Sequence, residues 1–124
     1  MHFEEYRKYD ALGLAELVKT KQVQPSELLD LAIQRTEAVN PKINAVVSKL
    51  YDLAKEQRKT LDANAPFAGV PFLLKDLDAH LAGTKCTGGS GILKEYVSKE
   101  TSETVHRAIK SGLIIFGKSN TPEF

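Results

Sequence analysis

At 124 residues, 42% hydrophobic and 27% charged, the chain has the length and balance of one ordinary globular domain and lacks the composition of a disordered segment. Seventeen Lys and Arg offset sixteen Asp and Glu to a formal charge of +1, which removes the electrostatic case for nucleic acid or an anionic membrane as partner. A lone cysteine, Cys86, excludes an intrachain disulfide and zinc-type cysteine spacing, and no run approaches the roughly 20 apolar residues of a membrane span.

The lone cysteine fits a reducing cytoplasm, and Met1 to Glu5 has neither the basic region nor the apolar stretch of a secretory leader. Ala11, Leu14, Ala15 and Val18 then recur at i, i+3, i+4 and i+7, predicting a helix over about 11–20 that Asp10 caps. Pro25 suits the first position of a second helix and Glu27 the positive end of its dipole. Leu28, Leu29, Ala32, Ile33 and Val39 supply its apolar stripe, and Asn40-Pro41 is expected to end it.

Ile43 to Val47 is short and β-branched, which predicts a strand, and Tyr51 to Leu61 has the composition of a helix. Asn64-Ala65-Pro66 breaks the pattern. Val70 to Lys75 is the next predicted strand, and its unbroken apolarity implies burial on both faces, as in the interior of a partly parallel sheet. A glycine-rich loop follows from Gly83 to Gly91. Thr101 can cap a further helix with Val105, Ala108 and Ile109 on its apolar face, Gly112 closes that helix, and Leu113 to Phe116 is the strand after it. Strand, helix and strand at these lengths make a crossover unit.

Lys75 ends the apolar run Gly69 to Leu74 and is the chain's candidate for an amine driven toward a dry interior. A lysine with a pKa of about 10.4 is neutral in roughly one molecule in 2,500 at pH 7, so it serves as a base only where desolvation lowers that value. Asp76 points to the opposite face of a strand and is expected to anchor the following loop through backbone N–H groups. The structural alternative for Lys75 is a strand-end lysine whose stem lies along the core while its head reaches water.

Other motifs carry less. Gly83 and Gly88 have the spacing of a phosphate loop, but Gly89 stands where the lysine is required. A nucleophile elbow centred on Ser90 needs glycine at 92, where Ile92 stands, so Ser90 reads as a loop serine. His2, His80 and His106 are far apart in sequence, and no metal or cofactor is expected. Cys86 reads as a packed thiol, and Lys118 and Asn120 as structural.

Gly69-Val70-Pro71-Phe72-Leu73-Leu74-Lys75-Asp76 resembles the lysine-bearing strand of the amidase signature family. Ala82-Gly83-Thr84 with Cys86-Thr87-Gly88-Gly89-Ser90 resembles the family's next loop, and Ser111 to Phe124 its following helix end, strand and turn. Pro25-Ser26-Glu27-Leu28 and Asn40-Pro41-Lys42-Ile43-Asn44-Ala45 are similar to its lead-in. The resemblance implies an α/β fold with N-terminal helices followed by the first strands of a large mixed sheet, here incomplete. Residues 1–124 are then the N-terminal portion of a single amidase domain, cut before the catalytic serines.

The same resemblance implies a Ser, cis-Ser, Lys triad in which Lys75 is the general base and both serines lie beyond Phe124. The implied activity is hydrolysis of a small-molecule carboxylic amide through a serine acyl-enzyme, with this chain inactive alone. The A subunit of a glutamyl-tRNA amidotransferase and a non-catalytic interaction module are the alternatives. Leu113 to Phe116 is expected to lack a neighbour on one side, an exposed sheet edge that invites self-association.

Overall fold

The computed structural model describes residues 1–124. In chain order it comprises α1 (Phe3–Tyr6), α2 (Ala11–Lys19), α3 (Pro25–Ile43), β1 (Val46–Lys49), α4 (Tyr51–Lys59), β2 (Pro71–Lys75), α5 (Glu103–Lys110) and β3 (Ile114–Ser119), with a 3-10 turn at Gly91–Leu93. Asp10 caps α2 by accepting the Gly13 N–H at 2.8 Å. Pro25 opens α3, where the Glu27 carboxylate accepts the Gln24 N–H at 2.9 Å and completes a reciprocal cap.

α3 runs past Asn40-Pro41 to Ile43, contrary to the expected stop. Pro41 removes one donor near the helix end, and side-chain and backbone bonds around it hold the last turn. Asn44, in the left-handed region at φ 47°, donates its N–H to the Asn40 carbonyl at 2.8 Å. The Asn40 amide clasps both the N–H and the carbonyl of Val46, at 2.8 and 2.9 Å. The β-branched run is thereby divided: Ile43 ends the helix and the strand begins only at Val46.

The sheet has the order β1-β3-β2, with β3 antiparallel to β1 and parallel to β2. β2, α5 and β3 form the expected crossover. β3 is the central strand, so the expectation that it forms an exposed edge is wrong. Its alternating side chains feed two cores, Ile114 and Phe116 packing with Leu29 and Ala54, and Ile115 with Leu74, Leu81 and Val105. A third cluster of Leu14, Ala15, Val23, Leu28 and Val70 binds α2 and α3 to the start of β2.

The edge position falls to β2, which is therefore not buried on both faces as its apolarity implied. Leu74 is buried, but Phe72 is 40% exposed. Thr101 also differs from expectation: Ser102 occupies the cap position of α5, and the Thr101 hydroxyl accepts the Ala82 N–H at 3.0 Å. Gly112 follows α5 at φ 95°, and a Cβ there would lie 2.7 Å from the Ala68 backbone.

Candidate active site

Lys75 is the last residue of β2 and lies opposite Ser119 of β3. Its Nζ donates to the Asn120 carbonyl at 3.0 Å, yet the side chain is exposed. The expectation of a dry amine at this position is not met within these residues, because β2 is an edge strand and its end opens outward. The amine's partner is a neutral carbonyl, and Lys75 belongs to none of the ion pairs in the fold.

Asn120 is itself rigidly held. Its N–H donates to the Ala45 carbonyl at 2.8 Å, its amide nitrogen to the Asn44 carbonyl at 3.1 Å, and its side-chain oxygen accepts the Thr121 N–H at 2.9 Å. The residue therefore ties the end of β3 to the α3–β1 corner while presenting its carbonyl to Lys75. Thr121 is buried, and its hydroxyl has no partner.

Asp76 turns away from Lys75 and is buried. Its carboxylate accepts the Thr87 N–H at 3.0 Å and the Thr87 hydroxyl, while its carbonyl accepts the Gly88 N–H at 2.9 Å. This is the loop anchor that strand alternation predicts. The glycine-rich loop folds back onto the end of the chain: Phe124 donates its N–H to the Gly88 carbonyl at 2.9 Å, and Ser90 Oγ donates to Glu123 at 2.8 Å. Gly89, at φ 67°, permits the approach, since a Cβ there would meet the Thr121 carbonyl at 2.7 Å.

The loop's N–H groups are spent inside the fold. Those of Thr87, Gly88, Gly89 and Ser90 go to Asp76 and Thr87, so the phosphate-loop spacing builds no anion cradle. Ser90 is 3% exposed with its hydroxyl on a carboxylate, which agrees with a loop serine.

The amine that the fold does bury is that of Lys118, which is fully enclosed and donates to the Lys85 carbonyl at 2.5 Å. Burial pushes it below the ordinary lysine range, with Cys86 and Asp76 pulling the other way. The signal in the sequence is a lysine inside the strand of Ile114, Ile115 and Phe116, where a central strand leaves its side chain no route to water. Cys86 is buried beside it, and desolvation raises its thiol despite the nearby Lys118. That favours the unreactive thiol.

His80 is half-buried, its Nδ1 2.9 Å from Ser98 Oγ and its ring edge-on to Tyr96. The fold gathers no group of His, Cys, Asp and Glu suited to a metal ion. No helix is long and apolar enough to cross a membrane.

The family model described as Amidase matches residues 27–124. The chain is 40% identical over 120 residues to a lipoamidase of Enterococcus faecalis, covering 96% of this chain and 17% of that protein. It is 39% identical over 123 residues to the A subunit of the glutamyl-tRNA(Gln) amidotransferase of Deinococcus deserti, covering 94% and 25%. The solved structure of a 6-aminohexanoate cyclic dimer hydrolase superposes with a TM-score of 0.87 at 38% identity, over 93% of this chain and 24% of that one. The chain thus spans a quarter or less of the length of these relatives.

Proposed function

Since the chain belongs to the amidase signature family, we propose that residues 1–124 form the N-terminal part of an amidase that cleaves carboxylic amide C–N bonds through a serine acyl-enzyme. Lys75 is the general base in this reading. It draws a proton through a bridging serine, whose oxygen takes the proton of the nucleophilic serine as that attacks the carbonyl. The C–N bond then breaks, the amine departs with a proton, and water releases the acid. Both serines and the oxyanion donors come from polypeptide outside these residues. The substrate is a small-molecule amide, and the reaction calls on no cofactor.

The observation that carries the reading is the placement of the Lys75 amine on the Asn120 carbonyl, at the open end of β2 and free of any carboxylate. Polypeptide packed over this end of the sheet supplies the desolvation that these residues leave out. The glycine-rich loop is pinned by Asp76 on one side and Glu123 on the other.

In the longest natural gene product that carries these residues, Lys75→Ala is expected to lower turnover on amides about 10³-fold with the fold intact, because a methyl group replaces an amine that is costly to cover. Near-normal turnover in a folded variant removes Lys75 from the mechanism. The chain of residues 1–124 alone is expected to form no adduct with a substrate-like fluorophosphonate, and an adduct would contradict its inactivity.

The similarity to the A subunit of the glutamyl-tRNA(Gln) amidotransferase of Deinococcus deserti supports a second reading, in which the same triad releases ammonia from glutamine within an amidotransferase complex. Asn120-Thr121-Pro122-Glu123-Phe124 resembles the free amidases instead. Glutamine-dependent ammonia release that requires partner chains would favour the second reading. A non-catalytic module is the outcome if the whole gene product hydrolyses no amide. A strand that extended this sheet, from the same chain or another copy, would add to β2 or β1 and not to β3. The buried, unpaired Cys86 suits a reducing cytoplasm.

A further inference from the structure

Lys75 Nζ donates to the carbonyl of the peptide group that joins Asn120 to Thr121. The N–H of that same peptide is taken by the Asn120 side chain, whose oxygen accepts it at 2.9 Å. The amine is therefore bonded to one end of a peptide plane whose other end is fastened by Asn120 itself. Turning the plane to swing the carbonyl off Lys75 breaks the bond to Asn120 Oδ1.

The side chain is fastened in turn. Asn120 Nδ2 donates to the Asn44 carbonyl at 3.1 Å, and the Asn120 N–H to the Ala45 carbonyl at 2.8 Å. Asn44, in the left-handed region at φ 47°, has its own N–H on the Asn40 carbonyl, and the Asn40 side chain clasps Val46. An unbroken series of hydrogen bonds thus runs from the last turn of α3 through Asn120 to the Lys75 amine. The backbone bond to Ala45 would tie β3 to this corner with any side chain at 120, whereas the hold on the peptide plane needs the amide. An amide supplies donor and acceptor together; aspartate lacks the donor and alanine lacks both.

We infer that Asn120 is a positioning residue for Lys75. The inference rests on the reading of Lys75 as the base. A neutral amine has two N–H groups and one lone pair, and it accepts a proton only along that lone pair. With one N–H committed to a carbonyl that cannot turn, the lone pair is confined to a cone about that bond, and the long lysine stem loses the freedom to carry its head elsewhere.

Three variants of the whole amide-hydrolysing gene product test it. Asn120→Ala is expected to reduce kcat about 10²-fold while KM is nearly unchanged, as for a displaced catalytic group. Gln57→Ala is the control, because Gln57 bonds Ile115 at the opposite end of β3, and it is expected to keep kcat within about two-fold. An unchanged kcat in Asn120→Ala, or equal falls in the two variants, overturns the inference.

Asn120→Asp retains an acceptor for the Thr121 N–H and tests the inference even where the alanine variant does not fold. It sets a carboxylate on the residue that receives the amine, where Lys75 otherwise joins no ion pair. An opposite charge favours the ammonium, so the acid limb of kcat/KM against pH is expected to move up by about one unit. A limb that stays in place shows that residue 120 does not face the working amine, and overturns the inference. If Lys75→Ala is inactive and Asn120→Ala turns over normally, the positioning role alone fails. If Lys75→Ala turns over normally, the base reading fails, whatever Asn120 does.

Discussion

The Asp76 carboxylate accepts both the backbone N–H and the hydroxyl of Thr87, joining the end of β2 to a loop eleven residues further along the chain. A buried carboxylate so engaged leaves two orphaned donors when it is removed. Asp76→Ala is therefore expected to lower stability by about 3 kcal/mol, read from urea denaturation with an unchanged slope. A loss under about 1 kcal/mol would mean that the loop does not depend on this anchor.

Gln57 of α4 reaches into the sheet, its side-chain oxygen accepting the Ile115 N–H at 3.0 Å where the register between β2 and β3 slips. Gln57→Ala leaves that enclosed N–H without a partner and is expected to cost about 2 kcal/mol. Gln57→Glu retains an acceptor and is expected to lose less at neutral pH, measured by the same denaturation.

Gly112 sits at φ 95° with the Ala68 backbone 2.7 Å from where a Cβ would stand. Its carbonyl also receives the Gly69 N–H at 3.0 Å. Gly112→Ala faces both backbone strain and a collision with main chain that has no rotamer to yield, so a loss above about 2 kcal/mol is expected. A melt within a degree of wild type would show that the turn rearranges freely.

Glu37 meets Lys49 Nζ at 2.7 Å and the Tyr51 hydroxyl at 2.6 Å, and these bonds, that of Lys49 first, hold its carboxyl below the ordinary range. A carboxyl depressed in the folded state adds stability that is present above its unfolded value of about 4.3 and is lost as pH falls through the folded value. Glu37→Gln is expected to show a shallower loss of stability across that acid window than wild type. Parallel curves for the two proteins would show that the pair carries no linkage.

The helices are legible in the sequence because their signals are local: Asp10 and Pro25 act on N–H groups within one turn of themselves. Pro41 misleads because its effect depends on the Asn40 and Asn44 bonds formed around it, which no spacing rule encodes. Whether a strand lies at an edge or at the centre is decided by which partners arrive, so the apolar run of β2 reads as interior and that of β3 as terminal when the reverse holds. Within the site, strand alternation suffices to turn Asp76 away from Lys75, whereas the exposure of Lys75 follows from the edge position of β2, which its apolar run does not encode. Lys118 escapes the alternation rule because its burial is produced by a loop more than thirty residues earlier in the chain, through the Lys85 carbonyl.

β1 and β2 each pair only with β3, and never with one another. During synthesis no part of this sheet can assemble until the segment through Ser119 has left the ribosome. Until that moment the two earlier strands wait as unsatisfied ribbons beside finished helices. A pause in translation shortly before Ile114 emerges would prolong the interval in which a chaperone is needed, whereas the same pause after Ser119 has cleared the exit tunnel would not.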